Sequence, residues 1–422
     1  MKAIVLAAAL AALLGIGLLR PPPGSGPDDA AAPVADAAAQ RRHGAYLARA
    51  GNCMGCHTAH GGEPYAGGHV LETSIGTFIT PNITPDPDTG IGEWSAEDFW
   101  QALHHGQGRD GRPLYPAFPY PDYTRVTRPD ADALFAYLQS LAPVAQRNPP
   151  GRIRFPFNFR PLLHVWRALY FEPGTYVPDA SRDEEWNRGA YLVQGLGHCN
   201  ACHTTRNPLG ISQGDVLGGG RLMESNWYAP SLTSLQEGGM SDWAIEDIAR
   251  LLTTGMAPRA AATGPMAAVV SQSLQHLRPE DARAMAVYLR SLPETAPYSR
   301  GPAPGLTGDV DRLLRQGEDI YEAHCRECHG AAGQGMLNAY PALAGNRGVT
   351  LASPTNAIRS VLFGGYGPVT ERQPRPYGMP PFAQHLRDEE IARVLSYIRN
   401  AWGNRGSLVT AAQVDRSRKG IH

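Results

Sequence analysis

The chain of 422 residues has almost no net charge: 38 Lys and Arg stand against 39 Asp and Glu, leaving -1 at neutral pH. Nothing in that balance suggests a nucleic-acid partner or a polybasic membrane surface. No flavin or nicotinamide fingerprint and no catalytic metal motif occurs. There is no cysteine to spare either. All six fall in three identical patterns, so none is left for a disulfide, and the second half of a zinc site is missing each time. Methionine is scarce, nine residues in all, with none between Cys56 and Met223.

What is present is Cys53-Met54-Gly55-Cys56-His57 and its twins Cys199-Asn200-Ala201-Cys202-His203 and Cys325-Arg326-Glu327-Cys328-His329. A cysteine pair two residues apart followed at once by histidine is the attachment signature of c-type haem. Two thiols about one helical turn apart each bond a vinyl group of one porphyrin, and the adjacent imidazole then faces the iron. A single match could be a zinc half-site, a thioredoxin-like pair or a coincidence. Three matches that use every cysteine point to three covalently attached haem c groups, held by Cys53, Cys56, Cys199, Cys202, Cys325 and Cys328, with His57, His203 and His329 as proximal iron ligands.

The 47 glycines and 37 prolines imply short helices separated by long ordered loops. At the N-terminus, Lys2 precedes an unbroken apolar run over residues 3–19, then Arg20 and three prolines. This reads as an export signal or an uncleaved membrane anchor, of which we favour the anchor. Residues 21–40 are a Pro, Gly, Ala and Asp tether.

Three modules follow, over residues 41–145, 181–295 and 308–403, with an aromatic connector at 146–180, a linker at 296–307 and a polar, extended tail at 404–422. Each opens alike: Gly44-Ala45-Tyr46-Leu47, Gly189-Ala190-Tyr191-Leu192, and Gly317 with Ile320-Tyr321 stand just before the cysteines. Each closes on an amphipathic helix, expected over 130–141, 279–292 and 388–400, with Tyr137-Leu138, Tyr288-Leu289 and Tyr397-Ile398 in register. The first and last helices are expected to cross there. Modules one and two also share Thr80-Pro81-Asn82-Ile83-Thr84 with Ala229-Pro230-Ser231-Leu232-Thr233, and Trp94 with Trp243, each twelve residues before a glycine, Gly106 or Gly255.

Methionine opposite the histidine favours ferrous iron and raises the potential. Met379, in Gly378-Met379-Pro380-Pro381-Phe382, is the third module's candidate, eighteen residues before Tyr397. Met266 is the second's, twenty-two before Tyr288, with Met256 as runner-up. In the first module Phe118 stands where methionine is expected, nineteen residues before Tyr137. His60, His69, His104 and His105 are the available imidazoles there. We place His104 slightly ahead of His105, with an open or water-bound iron as the alternative. In the connector, a short helix is expected over residues 161–170. Its aromatics either glue the first two modules together or form a docking surface.

Several stretches carry a resemblance: Gly44-Ala45-Tyr46-Leu47-Ala48-Arg49-Ala50-Gly51, Asn82-Ile83-Thr84-Pro85-Asp86 with Thr89-Gly90-Ile91-Gly92, residues 114–121, and Asn226-Trp227-Tyr228-Ala229-Pro230. Over residues 44–404 the chain resembles the three-haem cytochrome c subunits of membrane-associated bacterial alcohol, aldehyde and gluconate dehydrogenases. The resemblance implies a mainly α fold of three tandem class I cytochrome c-like domains. It also implies a carrier on the periplasmic side of the inner membrane. Such a subunit takes electrons from a dehydrogenase catalytic subunit (quinoprotein, flavoprotein or molybdoenzyme) and passes them to ubiquinone or another respiratory acceptor. Met266 and Met379 fall on the family's distal-ligand positions, and Phe118 departs from the pattern. The alternatives are a haem enzyme or gas sensor with Phe118, Tyr115, Tyr120 and His105 around an open first haem, and, more weakly, a polymerising haem wire.

Overall fold

The computed structural model describes residues 36–222, 225–295 and 310–420. The apolar N-terminal run lies outside them. Among the described residues no helix is long and apolar enough to cross a membrane. These residues form two compact units. One takes those up to Arg182 with Ala190–Ala201 and Arg206–Ser212; the other takes Asp183–Gly189, Cys202–Thr205 and those from Gln213 onward.

In the first unit the opening helix, Ala37–Ala50, begins inside the expected tether. Asp36 is its N-cap, accepting from the Ala38 and Ala39 amides at 2.8 and 3.1 Å. The closing helix is Arg128–Leu138. The two meet at Gly44, where an added Cβ would overlap the Ala133 carbonyl and lie 2.9 Å from Tyr137 Cβ. Only glycine lets the backbones approach this closely. A small antiparallel sheet of Val70–Thr73, Gly76–Ile79 and Arg152–Ile153 pairs Val70 with Ile79 and Gly76 with Ile153. The connector helix forms over Pro161–Tyr170, as its apolar spacing predicts.

The second unit repeats the crossing twice. Gly189 lies against Ala284 and Tyr288 of the closing helix Pro279–Arg290, and Gly317 of the helix Val310–His324 lies against Arg393 and Tyr397 of Asp388–Ile398. The expectation of an extended tail is corrected here. Residues Ala411–Arg418 form a helix, capped by Thr410, and Val409 and Val414 are buried in one core with Ile358, Leu362, Ile391 and Leu395. The fully buried Arg399 explains the turn-back. Its guanidinium donates to the Ser407 carbonyl and hydroxyl and the Leu351 carbonyl, each at 2.9 Å, and to the Val349 carbonyl. Such a group is tolerated inside only when its donors are satisfied.

Candidate haem-attachment sites

Each cysteine pair lies on or beside a single helical turn, Cys53–Cys56, Asn200–His203 and Arg326–His329, and none of the six cysteines is bridged by a disulfide. Burial pushes the Cys53 thiol up to about 12 and Cys325 up to about 11, so neither behaves as an activated thiolate. The histidines show the decisive repeat. Nδ1 of His57 faces the Pro81 carbonyl at 2.9 Å, that of His203 faces Pro230 at 2.8 Å, and that of His329 faces Pro341 at 3.0 Å. Nδ1 therefore carries the proton and donates it to the carbonyl, leaving the Nε2 lone pair to coordinate. Burial holds all three imidazoles below the ordinary histidine range, hence neutral. Neutral imidazoles of fixed tautomer beside unbridged cysteine pairs are the donor set covalent haem requires, so the residues fit the group.

Around the first turn, Tyr65, Ile91 and Leu138 form a buried cluster against which Cys53, Ile83, Trp94, Phe99 and Phe135 pack. Around the third, Tyr321, Val394 and Ile398 do the same with Cys325, Leu343 and Trp402. These are the apolar walls where the opening and closing helices cross.

The middle helices Ala96–His105 and Ile245–Thr254 end at left-handed glycines, Gly106 (φ 59°) and Gly255 (φ 72°). Leu114 N then donates to Gly106 O at 2.8 Å, and Ala262 N to Gly255 O at 2.7 Å. Phe118 and Met266 thus stand four residues beyond equivalent bonds. Met379 differs: it lies on the returning strand itself, paired with Gly365, half-buried against the Ile358 core. Met256, the runner-up, is engaged elsewhere, its sulfur accepting from the Asn338 amide at 3.2 Å.

His104 and His105 are both buried in the last turn of their helix. The helix rotates about 100° per residue, so neither shares the face of Phe99. The His104 ring is stacked on Trp100 at 4.2 Å, with Nδ1 3.5 Å from the Thr124 hydroxyl, and His105 meets it edge-on at 4.6 Å. His60 is exposed, and His69 lies near His57.

The tyrosines expected around an open pocket are committed to the connector. Tyr115 donates to the Phe157 carbonyl at 2.7 Å and carries the Arg160 guanidinium over its ring. Tyr120 is buried edge-on to Phe171 at 4.8 Å. The connector's Trp166 donates to the Leu209 carbonyl at 2.9 Å, while Phe155, Phe159, Leu169 and Tyr170 remain exposed.

The sequence reading missed the three proline carbonyls. Their signal was a proline 24, 27 and 12 residues beyond the respective histidine. It also missed His198, which precedes Cys199.

A cytochrome c family model matches residues 42–142 and 314–402. The chain is 38% identical over 392 residues to the cytochrome c subunit of a quinone-type alcohol dehydrogenase from Gluconobacter oxydans, covering 89% of this chain and 82% of that one. It is 38% identical over 395 residues to the gluconate 2-dehydrogenase cytochrome c subunit of Pantoea cypripedii, covering 90% and 89%. A nicotinate dehydrogenase subunit of Pseudomonas putida is 41% identical over 397 residues, but the match spans only 32% of that longer protein.

Proposed function

The chain belongs to the family of cytochrome c subunits of alcohol and gluconate dehydrogenases, and on that premise we propose that it is a three-haem electron carrier with no substrate chemistry of its own. In this reading a partner dehydrogenase delivers electrons at the periplasmic side of the bacterial inner membrane. The chain passes them to ubiquinone or another respiratory acceptor, with the N-terminal apolar run as its anchor. The observation that carries the reading is the thrice-repeated bond from an imidazole Nδ1 to a proline carbonyl beside a cysteine pair not bridged by a disulfide.

Bound haem supplies a one-electron iron centre at each turn. The proline carbonyls keep His57, His203 and His329 oriented and make them better donors. Met266 and Met379 would serve as distal sulfur ligands. At the first turn Phe118 offers no donor atom, so a haem there would take His104 or His105 or keep an open position. The stacking of His104 on Trp100 weighs against His104. The alcohol and gluconate relatives support a carrier over a haem enzyme.

The test is purification of the exported protein with whatever dehydrogenase accompanies it, identification of that enzyme, and anaerobic addition of its substrate. Reduction of c-type haem in step with substrate oxidation is expected. Carbon monoxide binding to one third of the reduced haem, together with substrate turnover by this chain alone, would overturn the carrier reading.

A further inference from the structure

The Gly51 carbonyl, two residues before Cys53, accepts two bonds from different parts of the first unit. Tyr123 Oη donates to it at 3.0 Å, and His198 Nε2 stands 3.3 Å away. His198 directly precedes Cys199, so this single carbonyl ties the first attachment turn to the second. The rings are also in contact: Tyr123 meets His198 edge-on at 5.2 Å, and Phe118 lies 5.4 Å from Tyr123. Tyr123 is buried close enough to Cys53 and Cys56 that their sulfurs help push its hydroxyl far above the usual phenol range, burial being the larger cause.

The position of His198 is over-determined. Its backbone is left-handed (φ 38°), a conformation that is costly for a non-glycine residue and persists only where surroundings enforce it. Its amide donates to Gly195 O at 3.0 Å and its carbonyl accepts from Ala201 N at 2.9 Å. An added Cβ at Gly51 would lie 3.1 Å from Leu196 Cδ1, so the two segments are already in close approach. Beneath them Asp122, buried, lies 3.4 Å from Arg206.

We propose that Tyr123 and His198, joined through the Gly51 carbonyl, form the electron-transfer contact between the first and second haem-attachment turns. The inference rests on the reading of both turns as haem sites. The step is the passage of one electron: one iron is oxidised by one unit and the other reduced by one. No bond forms or breaks, no proton moves, and Tyr123 and His198 remain closed-shell, acting as medium and as positioning residues. The route runs from Cys53 through Asn52 to the Gly51 carbonyl, across to the His198 imidazole, which Tyr123 holds in place by bonding the same carbonyl and packing on the ring, and along the backbone to Cys199.

The test uses the full exported chain and the variants His198→Leu, His198→Gln and Tyr123→Phe. Haem content is counted first. Electron exchange between the two haems is then timed after photoreduction, and each potential is titrated. His198→Leu is expected to slow exchange several-fold at unchanged potentials, His198→Gln, which keeps an N–H donor, to restore most of it, and Tyr123→Phe to fall between. Unchanged exchange in a fully loaded His198→Leu protein overturns the contact, as does a slowing wholly matched by a shift in potential. If His198→Leu fails to take up haem, the other two variants decide: a Tyr123→Phe protein as fast as wild type overturns it. A wild-type chain without covalent haem at either turn overturns the attachment reading itself.

Discussion

In the first and second modules a ten-residue helix ends at a left-handed glycine, the chain returns through the same amide-to-carbonyl bond, and four residues later one module carries Phe118 and the other Met266. The path of the loop is set by backbone conformation, which glycine permits and the hydrogen bond fixes. The side chain at its end is a separate variable. A loop can therefore change the side chain it presents without losing its path, and two like loops can diverge through one substitution.

The comparison breaks most sharply at attachment. Replacing Cys53 and Cys56 by alanine is expected to remove one of three haems, and replacing Cys199 and Cys202 to remove another. Pyridine haemochrome content and intact mass measure both. Equal losses show that the modules bind alike despite their distal difference.

Exchanging the distal side chains is the next largest effect. Met266→Phe should lower the potential of its haem and abolish the sulfur-to-iron charge-transfer absorption, while Phe118→Met should raise the potential of the first. The shifts should be a measurable part of the roughly 0.8 V that axial ligation spans. Potentials that do not move in Met266→Phe would show that Met266 is not a ligand.

The helix crossings should respond alike in both modules. Gly44→Ala and Gly189→Ala each drive a methyl into a carbonyl of the closing helix, Ala133 or Ala284. Each should cost about 1–3 kcal/mol, the usual size of overpacking, read as a lowered midpoint of thermal unfolding. A change in only one would break the structural equivalence.

The smallest effect concerns helix entry. Ser95 caps its helix reciprocally, its hydroxyl accepting from Asp98 N at 3.1 Å while its amide donates to Asp98 at 2.8 Å. Ala244 at the matching place has no cap. Ser95→Ala should cost about 1 kcal/mol, and Ala244→Ser should stabilise by up to about that amount, both read from denaturant midpoints.

Repetition and local chemistry are what made much of this legible. The cysteine–histidine turns, the opening glycines and the closing Tyr-Leu or Tyr-Ile pairs announce themselves by spacing, and the closing helices fall within two residues of the expected ends at their C-terminal side, apart from the first, which ends three earlier at Leu138. Features that depend on a distant partner did not show. Nothing near Ala411 signals a buried helix, because its apolar content is small and its docking depends on Val409, Val414 and the distant Arg399. The fate of Tyr115 and Tyr120 was hidden for the same reason, since Phe157 and Phe171 lie about forty and fifty residues along the chain. The proline carbonyls were visible only as prolines, for a main-chain acceptor has no side-chain signature.

Arg399 also sets an order of events in maturation. The chain is made from its N-terminal end, so Cys325 and Cys328 emerge well before Ser407, Val409 and Val414, the pieces on which Arg399 and the Ile358 core close. When the Cys325–Cys328 turn emerges, the core beside the Met379 loop is therefore still open. The last helix then acts as a closing latch, docking only after every element it covers has been made.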